Sequence, residues 1–326
     1  MPTIKDVAKY ASVSVATVSR VLNKKGYVSK EAEENVLKAI SDLNYKPNSV
    51  ARSLYHKTSK MIGLLIPDIS NPFFPELARA VEDVALTYGY TVVICNTDED
   101  IRKEAQYLEA LQQKYIDGLI LTTNQLSTDN YENLGIPLVA LDRQFSNRVP
   151  TVSSKNYEGA RKATEYLIDN GSEFIAHIRG PYRVKPADDR YRGFKDVVEE
   201  QGIAHIVVDC DFTMTNAMEV AKDLFEKYPT IDAVFASSDI AAAGVLKVAK
   251  SINKQIPEDL QIIGFDGIPL GEMLTPAITT VAQPIYKMGA LSARLLIKQI
   301  EKQLLDVRNY EVETTIQYRE TTRSDT

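Results

Sequence analysis

From Met61 onward, one pattern limits what this chain can fold into: short apolar runs alternate with amphipathic stretches of helical length. "MIGLLIP" precedes "FFPELARAVEDVALTYG", "YTVVICNT" precedes "RKEAQYLEALQQK", and "DGLILTT" and "IPLVALDR" follow. The rhythm restarts near residue 157 with "NYEGARKATEYLIDNG" and "FIAHIRG" and runs on to "LQIIGFDG". Strands separated by helices pair in parallel, because the return path crosses a sheet face, and both faces end up covered. The runs are too many for one such sheet, so the restart marks a second lobe. The expected core is α/β, two lobes each built on a parallel, Rossmann-like sheet. Ligands of open α/β sheets bind beyond the C-terminal ends of the strands, and two lobes bring two such ends together across a cleft.

The residues at those ends suit one kind of ligand. Phe73 and Phe74 follow the first run, Asp142 and Arg143 follow "PLVAL", and Arg190 opens "DRYRGF". Phe212 follows "HIVVDCD", Ser238 and Asp239 follow "AVFAS", Asp266 follows "IIGF", and Gln283 lies in "TTVAQP". Aromatic rings cover the apolar faces of a polyhydroxylated ring, while carboxylates, guanidiniums and an amide fix its hydroxyls. Singly, each has a plainer use, an Asp as helix cap or a Phe as core. As a set placed at strand ends they point to a sugar-type pocket.

The first sixty residues differ in charge. They hold eleven lysines and arginines against five acids, a surplus of six, whereas the whole chain carries a formal net charge of −6. A basic head on an acidic body suits a polyanion. Within it, "TIKDVAKYASVSVATVSRVLN" sets Thr3 and Asp6 at capping-box spacing before a helix with Ile4, Val7, Ala8 and Ala11 inward. Ser14 caps a second helix with Val18, Val21 and Leu22 inward. Two short helices joined by a tight turn make a helix-turn-helix, whose second helix enters the major groove. Its outward residues are Val15, Ala16, Ser19 and Arg20, and Arg20 can give two hydrogen bonds to a guanine. A third helix, "SKEAEENVLKAISDLNY", is expected to bury Ala32, Val36, Leu37, Ile40 and Leu43. Next comes "NSVARSL", capped by Asn48, which is far shorter than the ~12–15 residues an isolated helix needs in water.

"IKDVAKYASVSVATVSRVLN" followed by "LNYKPNSVARSL" resembles the lactose/galactose repressor family of bacterial transcription regulators, and the resemblance runs on through "NPFF", "GFDGIP" and "TPAITTVAQP" to about residue 320. Within that family it is nearest to the ribose operon repressors. The resemblance implies a periplasmic-binding-protein-like core, a double-stranded operator as partner, and a homodimer. It divides the chain into a helix-turn-helix domain (1–46), a hinge helix and linker (47–59) and an effector core (60–326). Three crossings put lobe 1 at about 60–157 and 288–319 and lobe 2 at about 158–287, with "YKMGALSARLLIKQIEKQ" as a helix of lobe 1. DNA contacts are implied for Val15, Ala16, Thr17, Ser19, Arg20 and Asn23, and for Asn48, Ala51 and Leu54 in the hinge, which folds only over DNA with its partner copy, Leu54 wedging into the minor groove. The core also resembles periplasmic ribose-binding proteins. Their pocket pattern falls on Asn71, Phe73, Phe74, Asp142, Arg143, Arg190, Phe212, Asp266 and Gln283, with Ser238 standing where that pattern has Asn. A sugar effector, ribose or ribose phosphate, is implied to close the lobes, separate the hinge helices and release DNA. A family member needing a purine or phosphoprotein co-repressor, and a sugar-binding module without DNA function, stay open as alternatives.

Other classes find little support. No apolar run of ~18 residues offers a membrane span, and the polar start "MPTIKDVAKYASVS" offers no export signal, so a cytoplasmic protein is expected. Cys95 and Cys210 read as isolated, reduced thiols. His56 lies in the hinge, His177 and His205 lie beside no nucleophile, and G-x-G-x-x-G spacing and metal-ligand clusters are missing, so neither catalysis nor a cofactor is expected. Asp142 and Asp266 could form an acid–base pair, but Arg143 beside one of them favours ionised acceptors. No heptad repeat is read after Thr315, so a homodimer rather than a tetramer is expected.

Overall fold

The computed structural model describes residues 2–24, 26–46, 58–123, 125–143 and 148–323. The hinge residues Asn48, Ala51 and Leu54 lie outside them. The chain divides into two compact units, Met1–Ser59 and Lys60–Thr326.

The head unit contains α1 (Ile4–Tyr10), α2 (Val15–Asn23) and α3 (Lys30–Asp42). The capping box forms: the Thr3 hydroxyl accepts from the Asp6 amide, and the Asp6 carboxylate accepts from the Thr3 amide at 2.8 Å. Ser14 Oγ accepts from the Thr17 amide at 3.1 Å and opens α2. Val7, Ala8, Ala11, Val18, Val36, Ala39 and Tyr45 build the small core. One expectation fails here. Leu37 is 54% exposed, because the inward stripe of α3 runs through Val36, Ala39, Ile40 and Leu43, and the next position after Val36 turns about a quarter circle away.

The larger unit holds two six-stranded sheets. The first is ordered β11-β5-β4-β3-β1-β2, from β1 (Met61–Ile66), β2 (Thr91–Asn96), β3 (Gly118–Leu121), β4 (Leu138–Leu141), β5 (Thr151–Ser154) and β11 (Asn309–Val312), all parallel. The second is ordered β12-β10-β9-β8-β6-β7, from β6 (Phe174–Arg179), β7 (Ala204–Asp209), β8 (Ala233–Ala236), β9 (Gln261–Asp266), β10 (Thr279–Ala282) and β12 (Thr315–Gln317). Among the described residues only β12 runs antiparallel, against β10. The central strands β3, β4, β8, β9 and β10 are buried along their whole length, as strands covered on both faces must be.

The helices follow the expected rhythm: α4 (Phe73–Thr87), α5 (Ile101–Gln113) and α6 (Thr128–Glu132) between strands of the first sheet, then α7 (Asn156–Asp169), α8 (Lys185–Gln201), α9 (Met214–Lys227), α10 (Asp239–Ser251) and α11 (Pro269–Met273) with the second. The last, α12 (Ile285–Ile300), returns to the first lobe, where Met288, Leu295 and Leu296 share a core with Ile62 and Leu77. The crossings sit a little earlier than expected. The chain leaves the first sheet after Ser154 and returns between Ala282 and Ile285. It crosses finally between Val312 and Thr315, so residues 315–317 belong to the second sheet rather than to lobe 1, because β12 finds its partner in β10.

Candidate functional site

A cavity of about 450 Å³ lies where the C-terminal ends of the two sheets face each other. Asn71, Phe73, Phe74, Asp142, Arg143, Arg190, Phe212, Asp266 and Gln283 all line it. Its aromatic walls are set by backbone chemistry. Asn71 Oδ1 accepts from the Phe73 amide at 3.1 Å and fixes the first turn of α4, which leaves Phe73 and Phe74 edge to face at 5.1 Å. Phe212 seats against Gly180, where a Cβ would lie 2.6 Å from its ring.

The polar floor is buried. Arg190 is 3% exposed; its Nε donates to Asn156 Oδ1 at 2.9 Å, its Nη1 donates to the Ser237 carbonyl at 2.6 Å, and Nη1 lies 3.3 Å from Asp266 Oδ1. Its guanidinium stacks 3.7 Å above the Phe265 ring. Gln283 Nε2 donates to Asp266 Oδ1 at 2.8 Å. Burial raises the carboxyl of Asp142 above its ordinary range, against the pull of Arg190 and Arg143. Asp266 and its neighbour Asp239 are raised too, by burial and by repulsion between buried carboxylates. Burial lowers Arg143. The backbone is strained at the same places: Asp142 has φ +55° and Asp266 has φ +120°, where side chains other than glycine rarely sit. Asp142 Oδ1 is sealed from solvent and makes no hydrogen bond among the described residues, a buried acceptor left unsatisfied.

Ser238 does not line the cavity. It is 1% exposed, and its Oγ accepts from the Ala241 amide at 3.1 Å as N-cap of α10. A serine after a strand and before a helix serves equally as cap or ligand group, and here capping wins. Asp239 also works behind the wall: its carboxylate accepts from the Gly267 and Ile268 amides at 2.8 and 2.9 Å and from Thr280 Oγ1 at 2.5 Å. Sequence reasoning missed Asp98, Glu99 and Asp211 in the lining. They follow β2 and β7, and the strand-end rule applied to every strand finds them. His177 is fully buried, its Nδ1 is 3.0 Å from the Phe235 carbonyl, burial pushes it down to about 3, and neither it nor His205 lines the cavity.

Two family models account for nearly the whole chain: bacterial regulatory proteins of the lacI family over residues 3–48, and periplasmic binding proteins and sugar binding domain of the LacI family over residues 59–321. The chain belongs to the LacI family. A ribose operon repressor from Halalkalibacterium halodurans is 67% identical over 323 residues, 99% of this chain and 98% of that protein. A LacI family regulator from Enterococcus faecium with bound ribose superposes with a TM-score of 0.75 at 29% identity, over 80% of this chain and 98% of that one. A periplasmic binding protein/LacI transcriptional regulator from Alkaliphilus metalliredigens, complexed with D-xylulofuranose, gives a TM-score of 0.76 at 37% identity, over 82% of this chain and 100% of that one.

The LacI-type head presents Ala16, Arg20 and Asn23 outward on α2, with Val15 41% exposed. Ser19 and Thr17 are half-buried, and the Thr17 hydroxyl is engaged with Ser14 Oγ at 2.9 Å. Asn23 Nδ2 donates to the Ser19 carbonyl at 2.9 Å and is thereby held along the helix. Among the described residues no helix is long and apolar enough to cross a membrane.

Proposed function

We propose that this protein is a repressor of a sugar-utilisation operon, which binds double-stranded operator DNA as a homodimer in the cytoplasm and lets go when an uncharged pentose, D-ribose foremost, occupies the cleft. The observation that carries the reading is the cavity itself, three phenylalanine rings facing a buried floor of Arg190, Asp266 and Gln283. Rings for the apolar faces of a sugar and ionised groups for its hydroxyls make one chemistry. The 67% identity to a ribose operon repressor and the likeness to a ribose-bound regulator support the choice of sugar.

The charge of the lining favours a free sugar over a phosphorylated one. Asp68, Asp98, Glu99, Asp142, Asp211 and Asp266 stand against Arg143 and Arg190. A phosphate dianion entering that cavity meets like charge at short range, a contact that costs several kcal/mol at an interface. On this reading Val15, Ala16, Ser19 and Arg20 meet base edges, Leu54 of the hinge wedges into the minor groove, and sugar acts through its unequal affinity for two lobe arrangements. On this reading the chain is a binder rather than an enzyme, and its likeness to named repressors supports that. Calorimetry of the full chain against D-ribose, ribose 5-phosphate and adenine tests this. Saturable heat with ribose alone is expected. Heat with adenine alone would overturn the sugar reading, and heat with ribose 5-phosphate at equal affinity would overturn the charge argument.

A further inference from the structure

Five residues close a ring of polar contacts under the cavity, through four side-chain pairs and one main-chain carbonyl. Ser154 Oγ donates to Gln283 Oε1, and Gln283 Nε2 donates to Asp266 Oδ1 at 2.8 Å. Asp266 Oδ1 pairs with Arg190 Nη1 at 3.3 Å, Arg190 Nε donates to Asn156 Oδ1 at 2.9 Å, and Asn156 Nδ2 returns to the Ser154 carbonyl at 3.1 Å. All five residues are between 3% and 6% exposed. Three of them, Arg190, Asp266 and Gln283, line the effector cavity. The other two, Ser154 and Asn156, do not; they line a second, polar cavity of about 530 Å³ that shares Asp142 and Arg143 with the first.

The ring also follows the crossings between the lobes. Ser154 ends β5 and Asn156 begins α7, so they flank the first crossing, and Gln283 lies in the second. Lys155 between them pairs with Glu313 in the third, and its amide donates to the Val312 carbonyl at 2.9 Å. Rotating one lobe against the other must turn these segments, and a ligand hydroxyl that takes Asp266, Arg190 or Gln283 must exchange bonds in the same ring. In a buried site a polar group left without a partner is costly, so the two events cannot proceed independently.

We infer that Asn156 and Ser154 are positioning residues that couple occupancy of the cavity to lobe rotation, through Arg190 and Gln283 respectively, without touching the sugar. This rests on the sugar-responsive reading given above. It assigns to these two residues the step between binding and release, in a protein where an effector changes operator affinity only by its differential affinity for two arrangements. Because both side chains border the second cavity, truncating either admits water rather than opening a dry void, so the variants should fold.

The test uses the full chain, wild type, Asn156→Ala and Ser154→Ala. D-ribose binding is read by calorimetry, and affinity for a palindromic duplex selected from random DNA with the wild-type protein is read with and without saturating ribose. The wild type should lose operator affinity by ~5–150-fold on adding ribose, the usual span of an allosteric coupling. Both variants should bind the duplex as the wild type does without sugar and should still give ribose heat, while the ribose-induced loss shrinks towards none. A merely structural role would instead lower melting temperature and operator affinity together and leave that ratio at its wild-type value, which overturns the inference. Ribose heat and an operator response in the wild type, with the same response in both variants, overturns the inference alone; no ribose heat in the wild type overturns the sugar reading and the inference with it.

Discussion

Replacing Arg190 with Met tests the floor of the cavity most directly. The variant keeps an apolar stem over Phe265 but removes the guanidinium that stacks 3.7 Å above it. It strands the Ser237 carbonyl and Asn156 Oδ1, and it leaves Asp266 without its cation at 3.3 Å. Breaking a buried ion pair by removing one partner costs ~3–5 kcal/mol. For a domain of this size each kcal/mol moves the melting temperature ~2–4 °C, so the core transition should fall by roughly 6–20 °C. The loss should depend on pH with a definite sign. Asp142 and Asp266 are held above the ordinary carboxylate value of 3.8, so the folded state binds more protons than the unfolded one, and stability falls as pH rises through and above that range. Arg190 opposes that fall by favouring the ionised carboxyls. Burial holds Asp266 up at about 6, so in acid it is protonated and needs no cation, and the gap between wild type and variant should be narrow near about pH 5 and wide near about pH 8. Thermal unfolding of both proteins at the two pH values, followed by calorimetry with ribose, reads the effect. A drop under ~3 °C at the higher pH, or the same drop at both, would refute the assignment of Arg190 as the compensating charge.

Two further substitutions probe the scaffold. Gly193→Ala would place a Cβ 2.4 Å from the Tyr157 carbonyl oxygen, where α8 and α7 touch backbone to backbone; overpacking of this kind costs ~1–3 kcal/mol, and an unchanged melting curve would show that the helices can separate freely. Ser14→Ala removes the cap of α2 at the Thr17 amide, worth ~1 kcal/mol, so helical signal and duplex affinity of the full chain should fall together. Retained duplex affinity would mean that DNA itself holds α2 in place.

Much of the site was legible because open α/β sheets put ligands at strand ends, and strand ends can be read from apolar runs. Phe73, Asp142, Phe212, Asp266 and Gln283 were found in that way, though they come from five separate segments, whereas Arg190 lies inside α8 and was read as the opening of that helix. Ser238 was misassigned by the same rule, since a hydroxyl between strand and helix has two uses and sequence does not choose between them. Leu37 was misassigned because α3 offers a wider apolar arc than its neighbours can cover.

By itself, then, the sequence determined the element types, the two-lobed α/β class, the capped helices of the head and most of the cavity lining, because these follow from local periodicity, capping chemistry and a topological rule. Only the tertiary structure decided that β12 joins the second sheet, that Asp142 Oδ1 is buried without a partner among the described residues, and that Asn156 meets Arg190 across 34 positions and Ser154 meets Gln283 across 129. Those depend on which distant groups share a dry interior, and a hydrogen bond between residues so far apart has no periodicity through which a linear sequence could announce it.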